Sequence, residues 1–569
     1  MPVTRGDKLN GRIFDYVVIG GGTGGCVLAS RLSEDPANRV LLLEAGTSDG
    51  NIMAARIPML YPRLHEDTRY DWGITTVKQK HAYDRELIWP RGKLLGGCSN
   101  VNAMILQQCA PADYDSWGIE GWAFNDLLPY FRKAETYNPA QNMPYHEELH
   151  GRDGPWHTTS VVDQTPLGHA FLDACEKEGI PRVHDINGHV SCGALTFQTF
   201  SFNGRRSMIS SAYLSPSVLA RPNLTVGLGC HVTKIIFSAD GSVAEAVQYQ
   251  TKQNGHTFTV RVAREVAVCA GAIQSPQILM LSGIGPGRHL EEHKIPVIHN
   301  LEGVGENMAD HNRIPLLYET IPGYSLNGLQ ASIPKLVYNF YRGLVHNDGP
   351  LTRPIIEAAA YFRIPDGPCN ASASDSPHFE IFEAPYLINQ DPLVLKNTEG
   401  TSVFIVLLSP FSLGTVRLAS SNPWSKALVD PKVLSDSRDV ELYVAAFKKT
   451  LAIVNQPGFS KYLKREIQPG PLSTDEQIAD YVRKEIVTTY HPAGTCKMGA
   501  KADSTSVVDA NLIVHGTKNL RVVDASVFPR IPGGQICWPV IATAEKAADM
   551  IKHHKLMNNP PRYILEAKL

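Results

Sequence analysis

The sequence predicts an α/β (α+β) protein, with a doubly wound unit for a dinucleotide joined to a second domain built on an antiparallel sheet. Three observations predict it: a strand–glycine turn–helix–strand unit opens the chain, short alternating apolar runs separated by Pro and Gly fill its second half, and 569 residues exceed one ordinary core. Hydrophobic residues make up 43% and charged residues 19%, as in a globular protein in water. With 54 basic against 56 acidic side chains the net charge is -2, which gives nucleic acid no electrostatic purchase. Ten cysteines lie between Cys26 and Cys537 without a CxxC pair, which predicts reduced thiols and no metal site. No apolar run approaches the roughly 18 residues of a membrane span. The N-terminus shows no secretory signal, so cytoplasmic residence is expected, or secretion if a leader was removed.

Residues 16–19 form a short β-branched run suited to a strand buried on both faces, and Gly20, Gly22 and Gly25 follow it in the G-x-G-x-x-G register. Residues 26–32 then read as a helix with Val27, Leu28 and Leu32 on one face. In such a unit the first glycine permits the tight turn, the second admits a pyrophosphate to the backbone, and the third packs helix on strand. The helix N-terminus adds N–H groups and partial positive charge for the phosphates. A second strand, RVLLLEAG, delivers Glu44 at its end, where a carboxylate accepts both ribose hydroxyls and disfavours a phosphorylated ribose. This unit predicts a dinucleotide without choosing between FAD and NAD.

Further blocks follow. In WPRGKLLGGCSNVNAM (residues 89–104), Gly96 and Gly97 let the backbone press close to a flat ring, since neither has a Cβ. EVAVCAGAIQSPQILMLSGIGP reads as a buried strand, a small-residue turn and a helix starting near Pro276 and ending at Gly283. NLTVGLGCHVTKIIF reads as a strand pair, and LRVVDASVFP as a strand ending on Asp524 and Ala525, with Asp524 able to cap the next turn. Between His311 and Thr488, the runs HFEIFEAPY, SVFIVLLSPF and GTVRLAS read as antiparallel sheet, followed by helices in RDVELYVAAFKKTLAIV and DEQIADYVRKEI.

These blocks, with YHPAGTCKMG (490–499) and the segment 520–551, resemble the glucose-methanol-choline (GMC) family of FAD-dependent oxidoreductases over nearly the whole chain. The resemblance implies a Rossmann-like FAD-binding domain from residues 1–155, 211–310 and 490–569, and a substrate domain from residues 156–210 and 311–489. It implies cofactor contacts from Gly20, Gly22, Thr23 and Gly25 in the fingerprint and from Glu44 and Ala45 after the second strand. It adds Arg91, Gly96, Gly97, Asn100, Asn102 and Ala103 from the next block. The backbone of Val232 would meet the adenine, Asp524 the ribityl chain or pyrophosphate, and Ala525 and Pro539 complete the set. Some members attach FAD through a histidine where this chain has Val101, so non-covalent FAD is expected.

An isoalloxazine ring accepts a hydride from a carbinol carbon as the hydroxyl loses its proton. A base is therefore required, and histidine, with a pKa of about 6.5, suits the task. In relatives the histidine of YHPAGT faces flavin N5, which makes His491 the candidate base. A second polar residue, usually His or Asn, shares the substrate oxygen; that register falls on Gln535, 44 residues beyond His491. Glutamine donates and accepts, so it can orient a hydroxyl or a hydrated aldehyde, but it cannot serve as a second base. It could instead brace the loop. A distant, formate-oxidising member carries arginine there; Gln535 lacks the charge, while Arg353, in a segment that overhangs the site in the family, would suit an acidic substrate. The expected function is oxidation of a primary alcohol or hydrated aldehyde, with electrons passed to O2 or a quinone-type acceptor, by a monomer or homodimer. The rival expectation is a GMC-like lyase or light-driven decarboxylase acting on a hydroxynitrile or a carboxylate.

Overall fold

The computed structural model describes residues 3–557 apart from 49–51, 66, 141–142, 162–163, 188–190, 332, 365–375 and 389–397. Within its eight-stranded sheet, Ile13–Ile19 runs parallel to Val40–Leu43 on one side and Thr257–Val268 on the other. Leu224–Leu228 and Val3–Arg5 extend the first side, and Leu520–Val522 pairs parallel with Thr257–Val268. Ala244–Gln250 and His231–Phe237 finish the far edge antiparallel. All four residues of Val40–Leu43 are buried, as a sheet covered on both faces requires. The strand pair expected in residues 223–237 is two strands that do not pair with each other. Leu224–Leu228 finds its register with Val40–Leu43 and His231–Phe237 with Ala244–Gln250, at opposite ends of the sheet.

Helix Thr23–Leu32 packs along the C-terminal helix Cys537–Met557. Between them Arg31 donates from Nε and Nη2 to the buried Glu545 carboxylate at 2.8–3.0 Å, and Tyr213 Oη donates to it at 2.7 Å. The predicted helix near Pro276 is Gly271–Leu281, starting five residues earlier and carrying Pro276 inside it. Proline removes the N–H that would bond the Ala272 carbonyl. Thr495 Oγ1 donates to that carbonyl at 2.6 Å instead, so it is not left unpaired.

The second sheet orders Leu463–Gln468, Asn312–Thr320, Gly400–Leu407, Phe379–Ala384, Ala358–Phe362 and Gly193–Thr196, all antiparallel, with Val487–Thr488 also paired to Asn312–Thr320. The alternating runs produce no solvent face here: every residue of Phe379–Ala384 and Gly400–Leu407 is buried. Helices Pro166–Lys177 and Ser437–Val454 pack on this sheet, while Phe382 and Phe404 face a cavity. The GTVRLAS run does form a strand, Thr415–Arg417, but it pairs with Leu428–Asp430 outside this sheet. A four-stranded sheet of Ile105–Leu106, Gln198–Thr199, Trp156–Ser160 and Glu135–Asn138 draws on both sides of residue 156. No helix among the described residues is long and apolar enough to cross a membrane.

One buried charge braces this region. His150, 2% exposed, lies between the carboxylates of Glu135 (2.9 Å from Nδ1) and Asp185 (3.0 Å from Nε2) and stacks on Tyr137. Burial opposes its charge, but the hydrogen bonds to Asp185 and Glu135 outweigh it and raise the pKa to about 9. A raised value means the stabilisation is whole below about pH 6.5 and is lost as pH climbs towards 9, amounting to about 3 kcal/mol. Thermal melts across that window should show a falling midpoint. His150→Gln should lower the midpoint at pH 6 and flatten the dependence; an unchanged slope in the variant would assign it to another group.

Candidate active site

One cavity joins the two sheets, and most of the expected site residues line it. At one end the fingerprint is built as its spacing requires. Gly20 has φ +99, open only to glycine without strain, and a Cβ on Gly25 would sit 1.9 Å from the Gly20 carbonyl oxygen, so helix and strand touch there. Gly22 occupies the helix N-cap without a side-chain cap, and nothing but the Cys269 carbonyl lies within 4 Å of where its Cβ would be. Glu44 accepts from the backbone N–H of Gly21 at 2.7 Å and of Gly46 at 2.6 Å. Burial raises its carboxyl to about 7 against those bonds. An uncapped helix start, a carboxylate at a strand end and a turn without Cβ atoms fit the adenosine diphosphate half of FAD.

Thr23, Ala45, Arg91, Gly97, Asn102, Ala103, Val232, Asp524 and Ala525 share the cavity wall with Gly20, Gly22 and Glu44. Asp524 both caps and staples: Oδ1 accepts from Ser526 N–H at 2.9 Å, while Oδ2 accepts from Gly271 N–H at 2.8 Å and Ser275 Oγ at 2.6 Å. Gly25, Gly96, Asn100 and Pro539 are not on the wall. Gly25 packs helix on strand, and Asn100 is buried, its Nδ2 donating to the Leu95 carbonyl and to Ser210 Oγ at 2.9 Å. A Cβ on Gly96 would strike that Asn100 amide, and Pro539 belongs to the C-terminal helix.

At the other end stands His491, held from behind by groups no motif announces. Its backbone N–H donates to buried Asp310 Oδ1 at 2.7 Å, and Thr488 Oγ1 donates to Oδ2. Tyr490 turns the chain with φ +68, rare for a side chain of that size, and its carbonyl accepts from Arg91 Nη2 at 2.6 Å. His491 Nδ1 lies 3.0 Å from Nδ1 of His311, a residue fully buried on the substrate side. Only one proton fits between those nitrogens. Burial drives His311 down to about 3, so it is neutral. One ring donates and the other accepts; where His311 is the acceptor, His491 carries its proton on Nδ1 and keeps Nε2 free to accept. Burial, then His311, Arg91 and Arg313, push His491 well below the ordinary histidine value, so it is uncharged at neutral pH.

The cavity wall includes the apolar Tyr61, Met104, Ile105, Ile356, Phe382 and Phe404, and with them the polar His65 and Arg313. Gln535 also reaches the cavity, and its Nε2 donates at 3.1 Å to both oxygens of Glu380. Arg353 does not line it; its guanidinium lies 3.5 Å from the buried Glu357 carboxylate, so it offers no anchor for an acidic substrate here.

The GMC oxidoreductase family models match residues 14–313 and 410–544. Alcohol dehydrogenase (acceptor) of Pseudomonas putida is 34% identical, over 95% of this chain and 96% of its own. Mitochondrial choline dehydrogenase of Mus musculus is 35% identical, over 97% and 91%. Among solved structures, a formate oxidase superposes with a TM-score of 0.88 at 28% identity, over 96% of this chain and 99% of that one. A fungal aryl-alcohol oxidase gives 0.82 at 25% identity, over 96% and 99%.

Proposed function

The chain belongs to the GMC oxidoreductase family, and from that premise we propose that it oxidises a primary alcohol, or an aldehyde in its hydrated form, with FAD as cofactor. When bound, FAD supplies the hydride acceptor. The observation that carries the reading is His491 itself, neutral, hydrogen-bonded to His311 through Nδ1 and on the wall of the same cavity as the dinucleotide cradle. His491 takes the hydroxyl proton; Gln535 orients the oxygen from the other side; the apolar wall excludes water and selects aromatic or aliphatic alcohols over sugars. Gly20, Gly22, Thr23, Glu44, Ala45 and Asp524 would hold the nucleotide, and Arg91, Gly97, Asn102, Ala103, Val232 and Ala525 the remainder. Val101 packs with Ala55, Leu64, Leu94 and Met208 and has no atom able to bond a flavin, which supports non-covalent FAD. O2 or a quinone-type acceptor would take up the electrons, and the protein would act as a monomer or homodimer in the cytoplasm.

Anaerobic mixing of the FAD-loaded protein with a panel of primary alcohols tests this: at least one should bleach the flavin. If none does, while the protein remains folded and yellow, the reading fails and lyase or light-driven chemistry takes its place. The histidine pair makes a sharper expectation. His311→Phe removes the acceptor that keeps the His491 proton on Nδ1, and should lower the rate of flavin reduction about 10²-fold with KM little changed. Stopped-flow absorbance reads both; an unaltered rate would mean that the pair does not set the tautomer.

A further inference from the structure

Gln535 is a wall of the cavity, and what stands behind it is an acid without a cation. Glu380, 1% exposed on the strand Phe379–Ala384, accepts from Gln535 Nε2 on both oxygens at 3.1 Å and from Tyr361 Oη on Oε1 at 3.0 Å. Tyr361 also lies 3.4 Å from Gln535 Oε1, but its hydroxyl has one proton to give. Burial raises the Glu380 carboxyl to about 7, against the hydrogen bonds from Gln535 and Tyr361 that lower it. The titratable groups that face it are Tyr361 on Ala358–Phe362 and the thiol of Cys109, both held neutral by burial. The strand on its other side, Gly400–Leu407, sets Val406 opposite it. Among the described residues Glu380 makes no ion pair.

A primary amide has two unlike ends. When Glu380 is ionised, both its oxygens accept, so the N–H end of Gln535 is drawn to it and the carbonyl end is left for the cavity. When Glu380 is protonated, its O–H donates to the amide carbonyl and the N–H end turns to the cavity. Only the N–H end stabilises an oxygen that is giving its proton to His491. We propose that Glu380 is a positioning residue: its protonation state decides which end of the Gln535 amide meets the substrate oxygen, and the protonated form is the productive one. This rests on the alcohol-oxidation reading above, since it assumes a hydroxyl between His491 and Gln535.

The test is kcat/KM against pH for an alcohol that bleaches the flavin, joined to an infrared titration of the protein. The parent should lose about tenfold or more between pH 6 and 8.5, with a midpoint near 7. Glu380→Gln, which cannot ionise, should flatten that alkaline limb. Tyr361→Phe, which removes a bond favouring the carboxylate, should move the limb to higher pH. The infrared spectrum should show a carboxylic-acid carbonyl band that fades over the same range and is missing from Glu380→Gln at every pH. A limb that persists unchanged in Glu380→Gln, or no titrating acid band, overturns the proposal. Should Glu380→Gln fail to fold, an unmoved limb in Tyr361→Phe overturns it equally. If no alcohol bleaches the flavin, the functional reading fails on its own, and the infrared band alone then decides whether Glu380 holds its proton.

Discussion

His491→Ala should slow flavin reduction by a primary alcohol about 10²–10⁴-fold, the usual contribution of a positioned general base. The loss should fall on the chemical step, because the imidazole proposed to take the hydroxyl proton is gone while the dinucleotide cradle, at the other end of the cavity, is untouched. FAD content and melting temperature should therefore match the parent. The pH profile carries a second signature. Because burial and the neighbouring His311, Arg91 and Arg313 depress the His491 pKa, the base stays unprotonated well below pH 6.5, and the parent should show no acid-side decline near that value. Stopped-flow reduction across pH checks both claims. A variant that reduces at the parental rate would remove His491 from the chemistry.

Gly25→Ala is expected to be at least as damaging, by a different route. The new Cβ would lie 1.9 Å from the Gly20 carbonyl oxygen and 3.1 Å from its carbon, both backbone, so no side chain can swing away. The helix Thr23–Leu32 has to lift from the strand Ile13–Ile19, and overpacking costs about 3 kcal/mol or more when the backbone must move. The purified variant should lack the flavin absorbance band and melt far below the parent, or accumulate insoluble. Gly22→Ala is the contrast. Its Cβ meets nothing but the Cys269 carbonyl at 3.9 Å and points into the cavity, so the protein should fold and bind FAD more weakly. Equal flavin content in parent and Gly25→Ala would contradict this division of labour between the glycines.

The first strand, its glycine turn and its helix are legible in the sequence because each signal there is local: β-branched run, register, apolar face. The second strand's Glu44 is legible for the same reason. The helix around Pro276 is legible but its first five residues are not, since the group that pairs with the carbonyl Pro276 leaves open, Thr495, comes from 223 positions away. The sheet between His311 and Thr488 is legible as strands but not as a buried wall, because which face meets helices and which meets the cavity depends on partners far along the chain. At the site, His491 and Gln535 stand in recognisable blocks, yet their hydrogen-bond partners His311 and Glu380 sit beside and within ordinary strand sequence. Nothing local distinguishes a histidine that fixes a tautomer from one that fills a core. A buried Glu on a strand with no neighbouring Lys or Arg is the one hint the sequence holds for Glu380.

The pairing of Arg31 with Glu545 spans 514 positions, and the sheet of the cradle is incomplete until Leu520–Val522 joins it. During synthesis, then, the nascent chain carries its first sheet unfinished until residues 520–545 have been made. Completion of the cradle waits on residues 520–545, and a polypeptide released before them would leave Arg31 and the strand Thr257–Val268 without these partners. Loss of residues 520–557 should thus act as a complete loss of holoenzyme rather than as a trimmed one.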